Sequence, residues 1–168
     1  EGLSSGAVQA PPRPKVEVPG KGYALAMLAW MPGQHIALKT VNVFHGNHTL
    51  GLESHQALVS LFDAETGAPV AVIDGGSVTA LRTAAAAVLS VRHLARAEAR
   101  IATVVAAGVQ GRAHARLLGL ARDFAEIRIV ARSLEAAARA AEGIENARPM
   151  TDVEAGVRDA DVVCLTTS

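Results

Sequence analysis

The chain has 168 residues, and 16 Lys and Arg stand against 16 Asp and Glu, a formal net charge of +0. That balance gives no support for nucleic-acid or anionic-membrane binding, both of which draw on a basic surface. Half the residues are apolar but only 3% are aromatic, so Ala, Val and Leu must fill the core, and a single cysteine, Cys164, excludes an internal disulfide. No apolar run reaches membrane-spanning length and no signal-peptide layout is visible, which predicts a soluble chain in a reducing, cytoplasmic compartment.

Residues 1–20, with Pro11, Pro12, Pro14, Pro19 and Gly20, read as loop or extended chain. Strands follow at 23–30, 36–44 and 57–63. The last of these meets a further strand at 69–74 across the glycine-bearing hairpin loop Ala64-Glu65-Thr66-Gly67-Ala68. The period then changes. Residues 78–94 carry Ala84, Ala85, Ala86, Ala87 and Leu89 with few breakers, which predicts a helix. A boundary near 97–100 separates this mostly antiparallel segment, 1–97, from an α/β unit, 98–168.

The α/β unit opens with the β-branched run Ile101-Ala102-Thr103-Val104-Val105, which leads into Ala106-Ala107-Gly108-Val109-Gln110-Gly111 and a helix-forming stretch, 112–122. A dinucleotide site needs that order. Small residues let the backbone approach a pyrophosphate, and free N–H groups at a helix start attract its charge. The spacing is that of G-x-G-x-x-G with Ala106 in the first glycine's place. A strand at 126–131, a helix at 133–142 and a strand at 147–150 follow. Thr151-Asp152-Val153-Glu154 then reads as a capping box, ahead of a fourth strand at 161–166. Strand alternating with helix at this rhythm predicts a parallel, doubly wound sheet, the first half of a Rossmann domain. A full dinucleotide fold has about six strands, and the chain starts at Glu1 without methionine. It therefore reads as the interior of a longer protein or a processed fragment.

Three cations stand out. Lys39 lies in the otherwise apolar strand Leu38-Lys39-Thr40-Val41, where an ammonium either reaches water or meets an anion. Arg82, in Thr79-Ala80-Leu81-Arg82-Thr83, stands near the start of the alanine-rich helix and against its dipole. A bound carboxylate or phosphate would compensate it, with the Thr79 and Thr83 hydroxyls beside it. Arg13 is held among Pro11, Pro12 and Pro14 in a stiff segment. An edge-strand lysine, an exposed surface arginine and a linker arginine are the plain alternatives. His45, His48 and His55 are close in sequence but lack a carboxylate or cysteine at ligand spacing, and read as loop histidines. His114 and Cys164 read as packing residues. At the end of the second parallel strand, Ala131-Arg132-Ser133 has no carboxylate for a ribose 2′-hydroxyl; a cation and a hydroxyl suit the 2′-phosphate of NADP.

These residues carry a resemblance. Lys39-Thr40-Val41-Asn42, Gly46-Asn47, Gly51-Leu52, Ser54-His55-Gln56, Asp63, Thr66-Gly67, Asp74-Gly75, Thr79-Ala80-Leu81-Arg82-Thr83-Ala84-Ala85 and Ala107-Gly108-Val109-Gln110 resemble the ornithine cyclodeaminase/mu-crystallin family over residues 13–168. The resemblance implies an NAD(P)-dependent enzyme acting on a small amino or cyclic imino acid, and a homodimer built through the amino-terminal sheet. It implies substrate-carboxylate recognition by Arg13, Lys39 and Arg82, with Lys39 also in a catalytic role at the amine or its attached water. It implies a phosphate loop at Gly108, Val109 and Gln110, a 2′-phosphate pair at Arg132 and Ser133, and cofactor-lining hydroxyls at Thr83 and Thr166.

The chain also departs from the family. Ala106 replaces the first glycine, tolerable if its φ stays negative. Ala29-Trp30-Met31-Pro32 stands where ornithine-cyclising members carry Glu-Leu-Met-Pro, which favours a less charged substrate than ornithine. The family's catalytic aspartate lies beyond Ser168. The rival readings are a non-catalytic, NADP-dependent binding protein of the mu-crystallin type, an inactive fragment, and an α/β domain with no cofactor. The leading reading expects cations of the first half to converge beside a nucleotide held by the second.

Overall fold

The computed structural model describes residues 5–167. By its internal contacts the chain divides into two units, Glu1–Val78 and Thr79–Ser168.

The first unit is an antiparallel sheet of five strands in chain order: β1 (Lys15–Val18), β2 (Gly22–Ala29), β3 (Ile36–Phe44), β4 (His55–Phe62) and β5 (Pro69–Asp74). β1 lies inside the stretch read as loop or extended chain. Prolines cannot donate to a ladder, but an edge strand bonds on one side only. Pro14 supplies a carbonyl there, accepting from the Ala26 N–H at 3.1 Å. The β4–β5 connection turns as expected. Gly67 adopts φ 72, and the Asp63 carboxylate accepts from the backbone N–H groups of Glu65 and Thr66 and from the Thr66 hydroxyl. A short 3-10 helix, His45–Leu50, joins β3 to β4 and ends at Gly51 with φ 68.

Alternation splits this sheet into two faces. Val41, Val43 and Val59 are buried on one face. The other carries Val16, Leu28, Leu58 and Val72, all exposed.

Helix α1 (Gly75–Leu94) starts at the end of the first unit and runs on into the second. It begins three residues before the expected 78, because the Asp74 carboxylate accepts from the N–H groups of Gly76 (3.1 Å) and Ser77 (2.9 Å). The second unit holds a parallel sheet in the order β8-β7-β6-β9. Its strands are β6 (Ile101–Val105), β7 (Glu126–Val130), β8 (Ala147–Met150) and β9 (Val162–Leu165), connected through α2 (Val109–Leu118), α3 (Leu134–Ala141) and α4 (Val153–Val157). Val88 and Val91 of α1 join Val104, Leu118, Phe124, Ile127 and Ile129 in its core, with Ala102, Ala115, Ala137 and Ala140 filling between them. The α/β class and the parallel half-sheet are as the sequence predicts.

The capping box is corrected. The N-cap of α4 is Asp152, whose carboxylate accepts from the Ala155 N–H at 3.1 Å, and Glu154 instead pairs with Arg158. The Ala131 N–H holds the Met150 carbonyl at 3.0 Å, so the chain leaves the sheet only at Thr151 and the cap falls one residue later.

Two arginines tie elements together. Arg122 donates to the Arg92 (3.0 Å) and Ala95 (3.1 Å) carbonyls at the end of α1, where a cation suits the helix dipole. Arg128, its side chain mostly buried, donates to the Gly156 (3.2 Å) and Arg158 (2.6 Å) carbonyls behind α4.

Asp161 sits ahead of β9 and accepts from the Arg100 (2.7 Å) and Ile101 (3.0 Å) N–H groups while pairing with Arg96. Those backbone donors first, and then Arg96, hold its carboxyl below the ordinary aspartate range. A depressed folded-state pKa contributes stability above the unfolded value, about 4, that is lost as pH falls through the folded value. Asp161→Asn is therefore expected to lower Tm at neutral pH and to flatten the fall of Tm with pH below about 4. A wild-type-like Tm–pH curve for the variant would show that the clasp contributes nothing.

Candidate functional site

The carboxyl ends of β6, β7 and β9 carry most of the nucleotide candidates, and the fold places them at one end of the parallel sheet. Open α/β sheets bind ligands at that end. After β6 the chain turns through Ala106 and Ala107 to Gly108, the N-cap of α2, at φ −72 and ψ −168. Among the described residues no side chain caps this helix and no acidic residue lies in its first turn, so its leading N–H groups are placed to receive an anion. Val109 and Gln110 therefore belong to the first turn of α2 itself, which starts three residues before the expected 112.

The glycines divide the work. A Cβ on Gly108 would meet no protein atom within 4 Å, which leaves that side of the loop open to a ligand. A Cβ on Gly111 would overlap the Ala106 carbonyl and come within 3.3 Å of the Thr166 hydroxyl. Gly111 thus lets α2 press against the end of the sheet, the part played by a third fingerprint glycine. Gly111 is absent from the site residues that the sequence singles out, although the G-x-G-x-x-G spacing points to it. Thr166 is drawn to the same place. Its hydroxyl donates to the Val105 carbonyl at 2.8 Å and keeps lone pairs for another donor.

One sequence expectation fails here. Ala106 sits at φ 98, not at a negative φ. Its N–H donates to the Val130 carbonyl at 2.8 Å, and its carbonyl abuts Gly111. The turn is therefore held in a conformation that glycine favours and that strains alanine.

Two side-chain oxygens are buried without a hydrogen-bond partner among the described residues: Thr83 Oγ1 and Gln110 Oε1. Buried polar atoms are almost always paired, so an orphaned one calls for a ligand or water. Both belong to residues expected to line the cofactor. At the end of β7, Arg132 is exposed, and the Ser133 hydroxyl caps α3 by accepting from the Ala136 N–H at 3.2 Å, its own proton remaining available to donate.

Arg82 does not stand at the start of α1, contrary to the sequence expectation. With α1 starting at Gly75, Arg82 lies two turns in, beyond the reach of the terminal partial charge. It is exposed, with Thr79 and Thr83 flanking it three residues before and one after.

In the first unit, Lys39 is half-buried at the middle of β3, with Met27 of β2 and Val59 of β4 directly across. It is an interior-strand lysine, so the edge-strand alternative falls. Arg13 lies two residues before β1 and outside its pairing with β2, so no ladder contact sets its level against Lys39. The Gln9–Trp30 bridge lies one place out of the β1–β2 register, so the proline-bearing arm carries a bulge between residues 9 and 15.

The remaining candidates take structural parts. His114 is buried and donates Nδ1–H to the Gln110 carbonyl at 2.8 Å, and His48 does the same to the His45 carbonyl at 2.7 Å. Burial pushes the Cys164 thiol up, which keeps it protonated. Among the described residues, no helix is long and apolar enough to cross a membrane.

Comparison with known proteins identifies the family. The model of the ornithine cyclodeaminase/mu-crystallin family matches residues 1–168. The nodulation efficiency protein NfeD of Rhizobium meliloti is 35% identical over 168 residues, 98% of this chain and 52% of its own length. The Thermococcus litoralis Δ1-pyrroline-2-carboxylate reductase in complex with NADH and L-proline superposes with a TM-score of 0.89 at 27% identity, over 97% of this chain and 53% of that one. An archaeal alanine dehydrogenase dimer with bound NAD has a TM-score of 0.89 at 31% identity, over 99% of this chain and 52% of that one. The chain spans about half the length of the curated relatives it matches.

Proposed function

The chain belongs to the ornithine cyclodeaminase/mu-crystallin family, and from that premise we propose that it supplies the substrate-carboxylate and nucleotide-phosphate ends of an NAD(P)-dependent oxidoreductase or cyclodeaminase acting on a small amino or cyclic imino acid. Residues 1–97 serve substrate and dimer contacts, and 98–168 serve the nucleotide. The observation that carries the reading is the β6–α2 turn. Its uncapped helix start, the open side of Gly108 and the close packing of Gly111 fit a pyrophosphate, and the orphaned Gln110 oxygen would accept from a donor such as a ribose hydroxyl.

The nicotinamide, when bound, exchanges a hydride with the carbon that bears nitrogen. The chain's own residues bind and orient. The N–H groups of Gly108, Val109 and Gln110 hold phosphate oxygens, and the hydroxyls of Thr83 and Thr166 line the nucleotide. Arg13, Lys39 and Arg82 recognise the substrate carboxylate, the two guanidinium groups as planar forks and Lys39 as a point charge. Lys39 also acts at the substrate nitrogen or its attached water, as an ammonium that stabilises developing negative charge. The exposed apolar face of the sheet, Val16, Leu28, Leu58 and Val72, suits a second copy of the chain. A homodimer in the cytoplasm is the working assembly.

NADP is favoured over NAD, because Arg132 and the Ser133 hydroxyl stand where a carboxylate would otherwise hold the 2′-hydroxyl. In the full-length protein NADPH is expected to show the lower KM. Arg132→Ala is expected to raise the KM for NADPH roughly tenfold or more while moving that for NADH little, since a charge-assisted bond to phosphate is worth about 1.5–3 kcal/mol. A lower KM for NADH in the unmodified enzyme would overturn the preference.

A further inference from the structure

Resting on the assignment of the β6–α2 turn to the nucleotide, we propose that Arg112 is a further cofactor-binding residue, the counter-charge for the pyrophosphate that the turn's N–H groups receive. Arg112 is the fourth residue of α2, and its backbone N–H closes the first bond of that helix, to the Gly108 carbonyl at 3.0 Å. Side chains on a helix lean toward its amino end. The exposed Arg112 guanidinium follows that lean back past the N-cap and donates from Nη1 to the Ala107 carbonyl at 3.3 Å, inside the turn itself. That bond uses one N–H of a planar fork that has several more.

A cation at this place calls for an anion. The guanidinium lies beside the positive end of the α2 dipole, which favours negative charge and disfavours positive. Arg116, one turn further along α2, adds a like charge. The other helices settle the matter differently. Arg139 of α3 pairs with Glu135 and Arg158, at the end of α4, pairs with Glu154, each four residues earlier. Four residues before Arg112 stands Gly108, whose open side meets no protein atom. Among the described residues Arg112 has no carboxylate within ion-pair distance. A pyrophosphate carries charge on both phosphoryl groups, and a helix end supplies only about half a unit against it. Arg132, assigned to the 2′-phosphate, follows β7, whereas Arg112 is tied by its side chain to the turn that receives the pyrophosphate. Its fork can keep the Ala107 carbonyl and take a phosphate oxygen together.

Calorimetric titration of the full-length protein with ADP, NADH and NADPH tests this, because all three share the pyrophosphate and ADP carries little else. Arg112→Met is expected to raise the Kd of all three by a similar factor, roughly tenfold or more. It is also expected to flatten the rise of those Kd values with salt, and to leave the Tm of the nucleotide-free protein unchanged. Arg112→Lys keeps the charge and is expected to lose no more than about threefold. An unaltered Kd for ADP in Arg112→Met would overturn the inference and leave the nucleotide reading standing. So would a loss that Arg112→Lys shares in full, or one that leaves the salt dependence as it was, since either would mark a role other than charge. No binding of ADP or of either dinucleotide by the unmodified protein would overturn the nucleotide reading and this inference with it.

Discussion

Gly111→Ala is expected to destabilise the protein by about 3 kcal/mol, lowering Tm by roughly 6–12 °C, and to abolish stabilisation by NADPH. The added methyl has nowhere to go. It would overlap the Ala106 carbonyl, which is backbone, and crowd the Thr166 hydroxyl at 3.3 Å. The Ala106 peptide is itself tethered by its N–H to the Val130 carbonyl at 2.8 Å, so neither side of the contact can yield cheaply. Relief would have to come from moving the amino end of α2 away from β6, and that displaces the N–H groups assigned to phosphate. Ala106→Gly is the mirror experiment. At φ 98 an alanine costs of order 1–2 kcal/mol, and part of that gain is offset by the greater freedom of glycine in the unfolded chain. The net expectation is a stabilisation of about 1 kcal/mol, read as a higher Tm with nucleotide binding retained. Gly111→Ala with an unaltered Tm, or Ala106→Gly with a lower one, would show that the turn is neither tightly packed nor strained.

Lys39→Met in the full-length enzyme is expected to cut kcat/KM for the amino or imino acid by roughly 100-fold or more, with nucleotide stabilisation kept. Methionine matches the length and flexibility of lysine and is compatible with its neighbours, Met27, Val41 and Val59. The fold should therefore hold and Tm stay close to that of the unmodified protein. The split between lost turnover and kept Tm separates a functional cation from a structural one. Turnover at the unmodified rate would remove Lys39 from the mechanism.

Much of this was readable along the chain. The strand 36–44, the alanine-rich helix and the alternation of strand and helix after 100 follow from side-chain period and turn residues, which are local properties. The spacing 106-108-111 identified the phosphate turn for the same reason, since its three positions lie within six residues. The edges of elements were less legible. α2 begins at Val109 because the turn closes into helix geometry at Gly108, and α4 takes its cap from Asp152 because β8 stays in the sheet through Met150.

Composition, periodicity and motif spacing fix the fold class, the family and the identities of the cations, because each depends on near neighbours along the chain. Folding sets the rest: the positive φ of Ala106, the close packing of Gly111, the strand at 15–18 and the placing of Met27 and Val59 either side of Lys39. Those facts rest on contacts between segments far apart in sequence, such as Ala106 with Val130, or β3 with β2 and β4. Cross-strand hydrogen bonding sets register and backbone angle there, and no local pattern encodes it.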